Sequence, residues 1–191
     1  MASCLLVAPP SQAHRGGLEV YDQGTYDDPY EFDDDECGFL FHVEGRQWGR
    51  YKNYIVPGSD RQAFLANNRY HWRETISNPA NGKKMYLSGD GHVREVRARH
   101  VEGTVWDFVS IETGAPFVMR TSRGRVVVAD RGKLVRVQRF DTLGDGVPGG
   151  EPVGEETILH RFTRGSFPSL EPDFDFCGIV AKHLGATPAP R

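Results

Sequence analysis

"TVWDFVSIETGAPFVMRTSRGRVVVADRGKLVRVQRF", residues 104–140, decides how the chain folds. Thr104 to Glu112 is rich in β-branched and aromatic residues, the composition of a half-buried strand. Gly114-Ala115-Pro116 predicts a turn into Phe117–Thr121. Arg123-Gly124 predicts the next, into Arg125–Asp130, and Arg131-Gly132 a third, into Lys133–Phe140. Short strands joined in sequence by tight glycine turns form a meander.

The same pattern extends in both directions. Phe39, Phe41 and Val43 alternate with Leu40, His42 and Glu44, the period of a strand, and Gly45 is expected to end it. "QWGRYKNYIV" (47–56) runs to the turn signal Pro57-Gly58. "NRYHWRETIS" (68–77) places Tyr70, Trp72, Glu74 and Ile76 on one face and Arg69, His71, Arg73 and Thr75 on the other. Asn81-Gly82 is a strong hairpin signal, because both residues accept positive φ. "MYLSG" (85–89) and "HVREVRARHVEG" (92–103) continue the sheet. Downstream, an irregular loop from Asp141 to Glu156 precedes a last strand, "TILHRFTRG" (157–165). Ile179, Val180 and Leu184 at helical spacing, with Gly185 beyond them, predict a short terminal helix. Strands with no crossover helices between them predict an all-β fold. A sheet that long must dispose of its edges, and hairpin connections favour closure. The expectation is an up-and-down antiparallel β-barrel of about eight strands with a short C-terminal helix, over residues 37–185.

Composition agrees with this class. The 191 residues suffice for one domain with its own core. A hydrophobic content of 38 % is low, and 22 Gly with 12 Pro favour turns and short strands over helices. No stretch approaches the roughly 20 apolar residues of a membrane-spanning helix. The net charge of −3 is unevenly spread: residues 1–36 hold one base, Arg15, and nine acids, while the remainder carries an excess of bases. Residues 14–36 read as an acidic disordered tail. The body's bases alternate with acids and apolar residues and accompany no nucleic-acid motif, so no nucleic-acid partner is expected.

At the front, Ala2 to Ala8 is a short apolar run stopped by Pro9 and Pro10, and Ser11-Gln12-Ala13 offers a small-x-small cleavage pattern. Residues 1–13 read as a truncated signal peptide, which places the mature chain outside the bacterial cytoplasm. Cys4 precedes Leu5, Leu6 and Val7 instead of following them, which argues against a lipidation box. Cleavage after Ala13 leaves Cys37 and Cys177, and two cysteines in an exported chain predict one disulfide. Residues 186–191 read as a disordered end.

"ECGFLFHV" (36–43), "TISNPANGKKM" (75–85) and "DFCGIVAKHLG" (175–185) resemble a group of small secreted actinobacterial proteins that open with a Cys-Gly-Phe-like strand, carry an Asn-x-x-x-Gly-Lys hairpin and close with Asp-x-Cys before a short helix. The resemblance covers residues 36–185. It implies export, a disulfide and a compact β-barrel, and it carries over no catalytic residue. A likeness to lipocalin and allene-oxide-cyclase barrels is architectural alone and licenses no function.

Candidates for chemistry are few. "GDGVPG" (144–149) matches G-x-G-x-x-G, but Pro148 and Pro152 forbid the helix that a dinucleotide site needs. Asp141, Asp145, Glu151, Glu155 and Glu156 in the same loop lack EF-hand spacing. No metal and no cofactor is expected. The histidines of the body are scattered singly. Tyr70, Trp72, Glu74 and Trp106 are the candidate ligand-binding residues: an inward apolar face would bring the Glu74 carboxylate into an aromatic pocket, where it must be paired or protonated. Arg120 and Arg136 are its candidate partners. The expected function is non-catalytic binding of a small apolar ligand or a cell-envelope component. Two other readings stay open: a cyclase- or isomerase-type enzyme using Glu74, and an interaction protein with a filled barrel. The interior decides among them, and the sequence sets no oligomeric state.

Overall fold

The first five strands are long because each is bonded along most of its length to a sequence neighbour. A computed structural model describes residues 18–161 and 165–187. Strands β1 (Val20–Asp34), β2 (Phe41–Ile55), β3 (Phe64–Ser77), β4 (Lys84–Glu102), β5 (Val105–Thr121), β6 (Val126–Ala129), β7 (Gly132–Asp141), β8 (Glu151–Pro152) and β9 (Thr157–Arg161) are followed by a 3₁₀ turn at Pro168–Leu170 and helix α1 (Phe176–Leu184). They form one antiparallel sheet in the order β1-β2-β3-β4-β5-β7-β8. The first half of β5 pairs with β7 (Val105↔Asp141 to Gly114↔Gly132) and the second with β6 (Val118↔Ala129). β6 and β7 are therefore one rung of the sheet, broken at Asp130-Arg131. Asp130 is buried there and accepts hydrogen bonds from the Ser169 hydroxyl and, at 3.1 Å, from the Ser169 backbone N–H. β8 and β9 in turn share the far side of β7.

The all-β class and the C-terminal helix hold, and the closed barrel does not: the sheet stays open. Among the described residues β1 pairs with β2 alone, and the last rung is built from strands of two and five residues, too short to complete a cylinder. The apolar end of one face is covered by α1 instead. Val180 and Leu184 are fully buried against Val43, Ile76, Met85, Leu87 and Met119. The Asp175 side chain caps the helix by accepting from Gly178 N–H at 2.8 Å, and Gly185, at φ 61°, ends it. Asn78 and Asn81 in the preceding hairpin donate to the Leu184 carbonyl at 3.2 and 2.9 Å. Cys37 and Cys177 form the expected disulfide, S–S 2.06 Å, joining the segment before β2 to the first turn of α1. No helix among the described residues is long and apolar enough to cross a membrane.

Residues 20–34 of the expected acidic tail are a strand. β1 pairs with β2 from end to end. Tyr26 and Tyr30 are half-buried, while Gln23, Thr25, Asp27, Pro29, Glu31 and Asp33 are exposed. Asp27, Glu31 and Asp33 are exposed on one face; Asp22, Asp28 and Asp34 share the other with the two tyrosines, which donate to Asn68 and Glu74 of β3 and so help to hold the strand. The expected signal segment, residues 1–13, and the end of the chain, residues 188–191, lie outside the described residues.

Two expected interruptions, at Gly45 and Gly114, are also interior to strands, as are two further glycines of β4. β2 runs through Gly45, β4 through Gly89 and Gly91, and β5 through Gly114. Their partners explain why. Tyr30 lies opposite Gly45, Tyr26 opposite Gly49, Trp72 opposite Gly89 and Tyr70 opposite Gly91. A Cβ on Gly45 would overlap the Tyr30 ring, and one on Gly91 would lie 2.5 Å from the Tyr70 hydroxyl. Glycine inside these strands makes room for an aromatic ring laid across the neighbouring strand. Gly114, at φ 132°, sits at a bulge where the β4–β5 register steps from Ser88↔Val118 to Asp90↔Ala115. The expected turn at Arg131-Gly132 is the break between β6 and β7.

Candidate anion-binding face

The two faces of the sheet differ sharply in chemistry. On the face that α1 covers, Tyr70, Trp72, Glu74 and Ile76 do lie together, as alternation along β3 requires. Each is engaged within the sheet. Glu74 Oε1 accepts from the Tyr30 hydroxyl at 2.7 Å, and neither Arg120 nor Arg136 pairs with it. Burial first, and then this bond, raise the Tyr30 pKa above the usual phenol range. Trp72 covers Gly89 and packs beside Phe117. The Tyr70 hydroxyl donates to Glu112 Oε1, and burial followed by that carboxylate raises its pKa. Glu112 is buried and accepts from Arg136 at 3.0 Å, and Arg136 also reaches Glu156 at 3.4 Å. Trp106 is not with the others. It is buried in a second apolar cluster with Ala63, Leu65 and Phe108, at the opposite ends of the strands. The middle of this face is thus a polar belt of tyrosines and carboxylates between two apolar clusters.

The opposite face gathers the bases. In β2, Arg46, Trp48, Arg50 and Lys52 alternate; in β3, Asn67, Arg69, His71 and Arg73; in β4, Asp90, His92 and Arg94. The register aligns them. Arg50 lies opposite Arg69, which lies opposite His92; Lys52 lies opposite Asn67, which lies opposite Arg94. Arg50, Lys52, Asn67, Arg69 and His92, with Gln23 and Thr25 of β1, line a groove of about 640 Å³. Acids neutralise one end of the face: Arg46 is clamped by Asp27, and His71 meets Asp90 at 2.5 Å. Trp48 sits there under the guanidinium groups of Arg46 and Arg73. At the other end, Arg50, Lys52, Arg69 and Arg94 take part in none of the ion pairs among the described residues.

His92 registers this charge. Its Nε2 lies 2.6 Å from Asn67 Oδ1, so a neutral imidazole is held with Nε2 as donor and Nδ1 free to accept. Its pKa is lowered, by burial first and then by Arg69, Arg94 and Arg50. Like charges directly opposite on adjacent strands destabilise a sheet. The Arg50↔Arg69 pair, with Lys52 and Arg94 on the next rung, is therefore an unfavourable arrangement for the sheet alone. It is favourable for an anion, which five guanidinium N–H donors per arginine can bind in a planar fork.

Sequence reasoning placed Arg69, His71 and Arg73 on one face of β3 but passed over the set as a site. The signal was available as bases at alternate positions in three consecutive strands. Only the register shows that they share one patch. Among known protein families, curated proteins and solved structures, none matches the chain.

Proposed function

We propose that the protein works outside the cytoplasm as a non-catalytic binding protein, and that its ligand is an anionic cell-envelope component, a phosphate-linked polymer, held on the cationic face of the sheet. The observation that carries this reading is the Arg50↔Arg69 pair, unneutralised and lining one groove with Lys52, with Arg94 on the adjacent rung of the ladder. An extended groove across four strands suits a linear polymer, whose repeating charges meet successive rungs. Neutral Asn67, Gln23 and Thr25 supply hydrogen bonds between the charges. The Cys37–Cys177 disulfide supports an oxidising compartment.

The test is a binding titration with poly(glycerol phosphate), read by fluorescence and by NMR of the histidine rings. An anion at the groove offsets the arginine field, so the His92 pKa should rise on binding. The double variant Arg69→Glu, Arg94→Glu should weaken binding by about tenfold or more and flatten its salt dependence. Unchanged binding in that variant, or a His92 pKa that does not move, refutes the reading. Equal affinity for duplex DNA would reassign the face to nucleic acid and refute the envelope ligand.

A further inference from the structure

A second cavity lies on the other face, at the strand ends away from α1, and its chemistry is the reverse of the groove's. It measures about 130 Å³. Three phenylalanines wall it, Phe64 of β3, Phe108 of β5 and Phe140 of β7, with Gly149 and Gly150 of the Asp141–Glu151 loop on one side. Phe64 and Phe108 are buried, and the Phe108 and Phe140 rings meet edge to face at 5.9 Å. Into this apolar space comes one carboxyl group, Glu95 of β4. Glu95 Oε2 accepts from the Ala66 backbone N–H at 2.7 Å. Asn53 is the other polar side chain in the lining; one N–H of its amide donates to Asp22 at 2.8 Å, which leaves its carbonyl oxygen and a second N–H. Glu95 is thus the one charged side chain in the lining, and no cation among the described residues forms an ion pair with it.

We infer that this cavity is a binding site for a small methylated ammonium group, with Glu95 as counter-ion and the three phenylalanines as the surrounding cage. Aromatic rings around a carboxylate attract an organic cation through the ring quadrupole while excluding the water that would compete for it. A hydrated metal ion does not suit the site, because phenyl walls supply no oxygen ligands. The size sets the class: drug-sized pockets run to roughly 300–1,000 Å³, so this cavity takes a headgroup or a free small amine. The positions Gly149 and Gly150 adopt φ 130° and 136° at its wall, a backbone that side-chain-bearing residues rarely adopt. Glu95 also explains a cost. Desolvation pushes its pKa up to about 7, against the opposing effect of the Ala66 hydrogen bond. A bound cation removes that penalty, so binding and ionisation are coupled. Every other residue lining the cavity, from β2, β3, β5, β7 and the loop, is uncharged. The charged groups on neighbouring strands, Asp22 bonded to Asn53 and Arg136 bonded to Ser110 opposite Glu95, lie outside the lining.

Tetramethylammonium chloride is the probe, against sodium chloride at equal ionic strength, with NMR of the Phe64, Phe108 and Phe140 ring protons as readout. Saturable shifts confined to these rings are expected, with affinity falling about tenfold between pH 8 and pH 6 as Glu95 takes up its proton. Glu95→Gln, isosteric and neutral, should abolish binding. Phe108→Leu, which keeps the carboxylate, should weaken it severalfold. The absence of saturable shifts overturns the inference, as does binding that survives in Glu95→Gln. Equal affinity for the neutral isostere tert-butanol also overturns it, leaving an apolar hole. The Arg69→Glu, Arg94→Glu variant should bind tetramethylammonium as the wild type does, so the two sites stand or fall separately.

Discussion

Replacing both cysteines of the Cys37–Cys177 clasp by alanine should cost about 4 kcal/mol of stability, and the magnitude follows from the size of the loop. The two residues are 140 apart in sequence. Chain-entropy arguments give a crosslink closing that many residues about 5 kcal/mol at 25 °C. Residual compactness of the unfolded chain reduces this, and loss of the packing of buried Cys37 and partly buried Cys177 adds a little back. Against a total of about 5–15 kcal/mol for an ordinary domain, the loss is large. It should also be uneven. Helix α1 has nine residues, too few to persist alone in water. Without the clasp it is held by Val180, Ala181 and Leu184 in the core and by Asn78 and Asn81 on the Leu184 carbonyl. Urea denaturation of the Cys37→Ala, Cys177→Ala variant should show a lower midpoint with an equal or greater slope. Amide exchange should show α1 opening before the sheet. A loss below about 1 kcal/mol, or exchange in α1 that stays level with β3 and β4, would refute the reasoning.

Three further outcomes are expected. Gly91→Ala puts a methyl group against the Tyr70 hydroxyl, so it should cost about 1–3 kcal/mol in thermal or urea unfolding; adding Tyr70→Ala should recover part of that loss. Glu95 is easier to protonate folded than unfolded, so its stabilising contribution is complete below about pH 4.5 and is lost as pH rises through about 7; the loss is about 2–3 kcal/mol after discount for partial exposure, and Glu95→Gln should flatten this limb of the stability–pH curve. Asp107 behaves oppositely, because side-chain hydrogen bonds from Arg139 and Arg99 hold its carboxyl down to about 2; its contribution is present above about pH 4 and lost as pH falls through 2, and Asp107→Asn should remove that part of the acid transition.

Strands were legible where alternation is local. Phe41 and Val43, and Tyr70 to Ile76, announce which side chains share a face, and both predictions hold. The terminal helix was legible from Val180 and Leu184 at helical spacing with Gly185 beyond, and the clasp from the two cysteines that follow the expected leader. What stayed hidden depends on neighbours distant in sequence. Gly45 read as a break because glycine usually is one; the ring of Tyr30 that occupies its place comes from another strand. The acidic segment read as solvated because its charges dominate the composition, while Tyr26 and Tyr30, which fasten it, are outnumbered. The cationic face was missed for a related reason. Its bases are dispersed along the sequence and adjacent only across the ladder, where Arg50, Arg69 and His92 fall on one line. The Glu95 pocket depends on β2, β3, β5, β7 and a loop arriving together, which no local pattern encodes.

A sheet that stops short of closure keeps a margin on which another strand can grow. β1 offers fifteen residues of it, long enough to template a copy of itself. Its composition guards against that outcome. Asp27, Asp28, Glu31 and Asp33 are exposed along it, and Pro29 removes one backbone donor midway. A second molecule approaching edge to edge would bring the same carboxylates against these. The acidity that made the segment look unstructured therefore works against edge-to-edge growth of an unclosed sheet, and Tyr26 and Tyr30 keep it a strand while it does so.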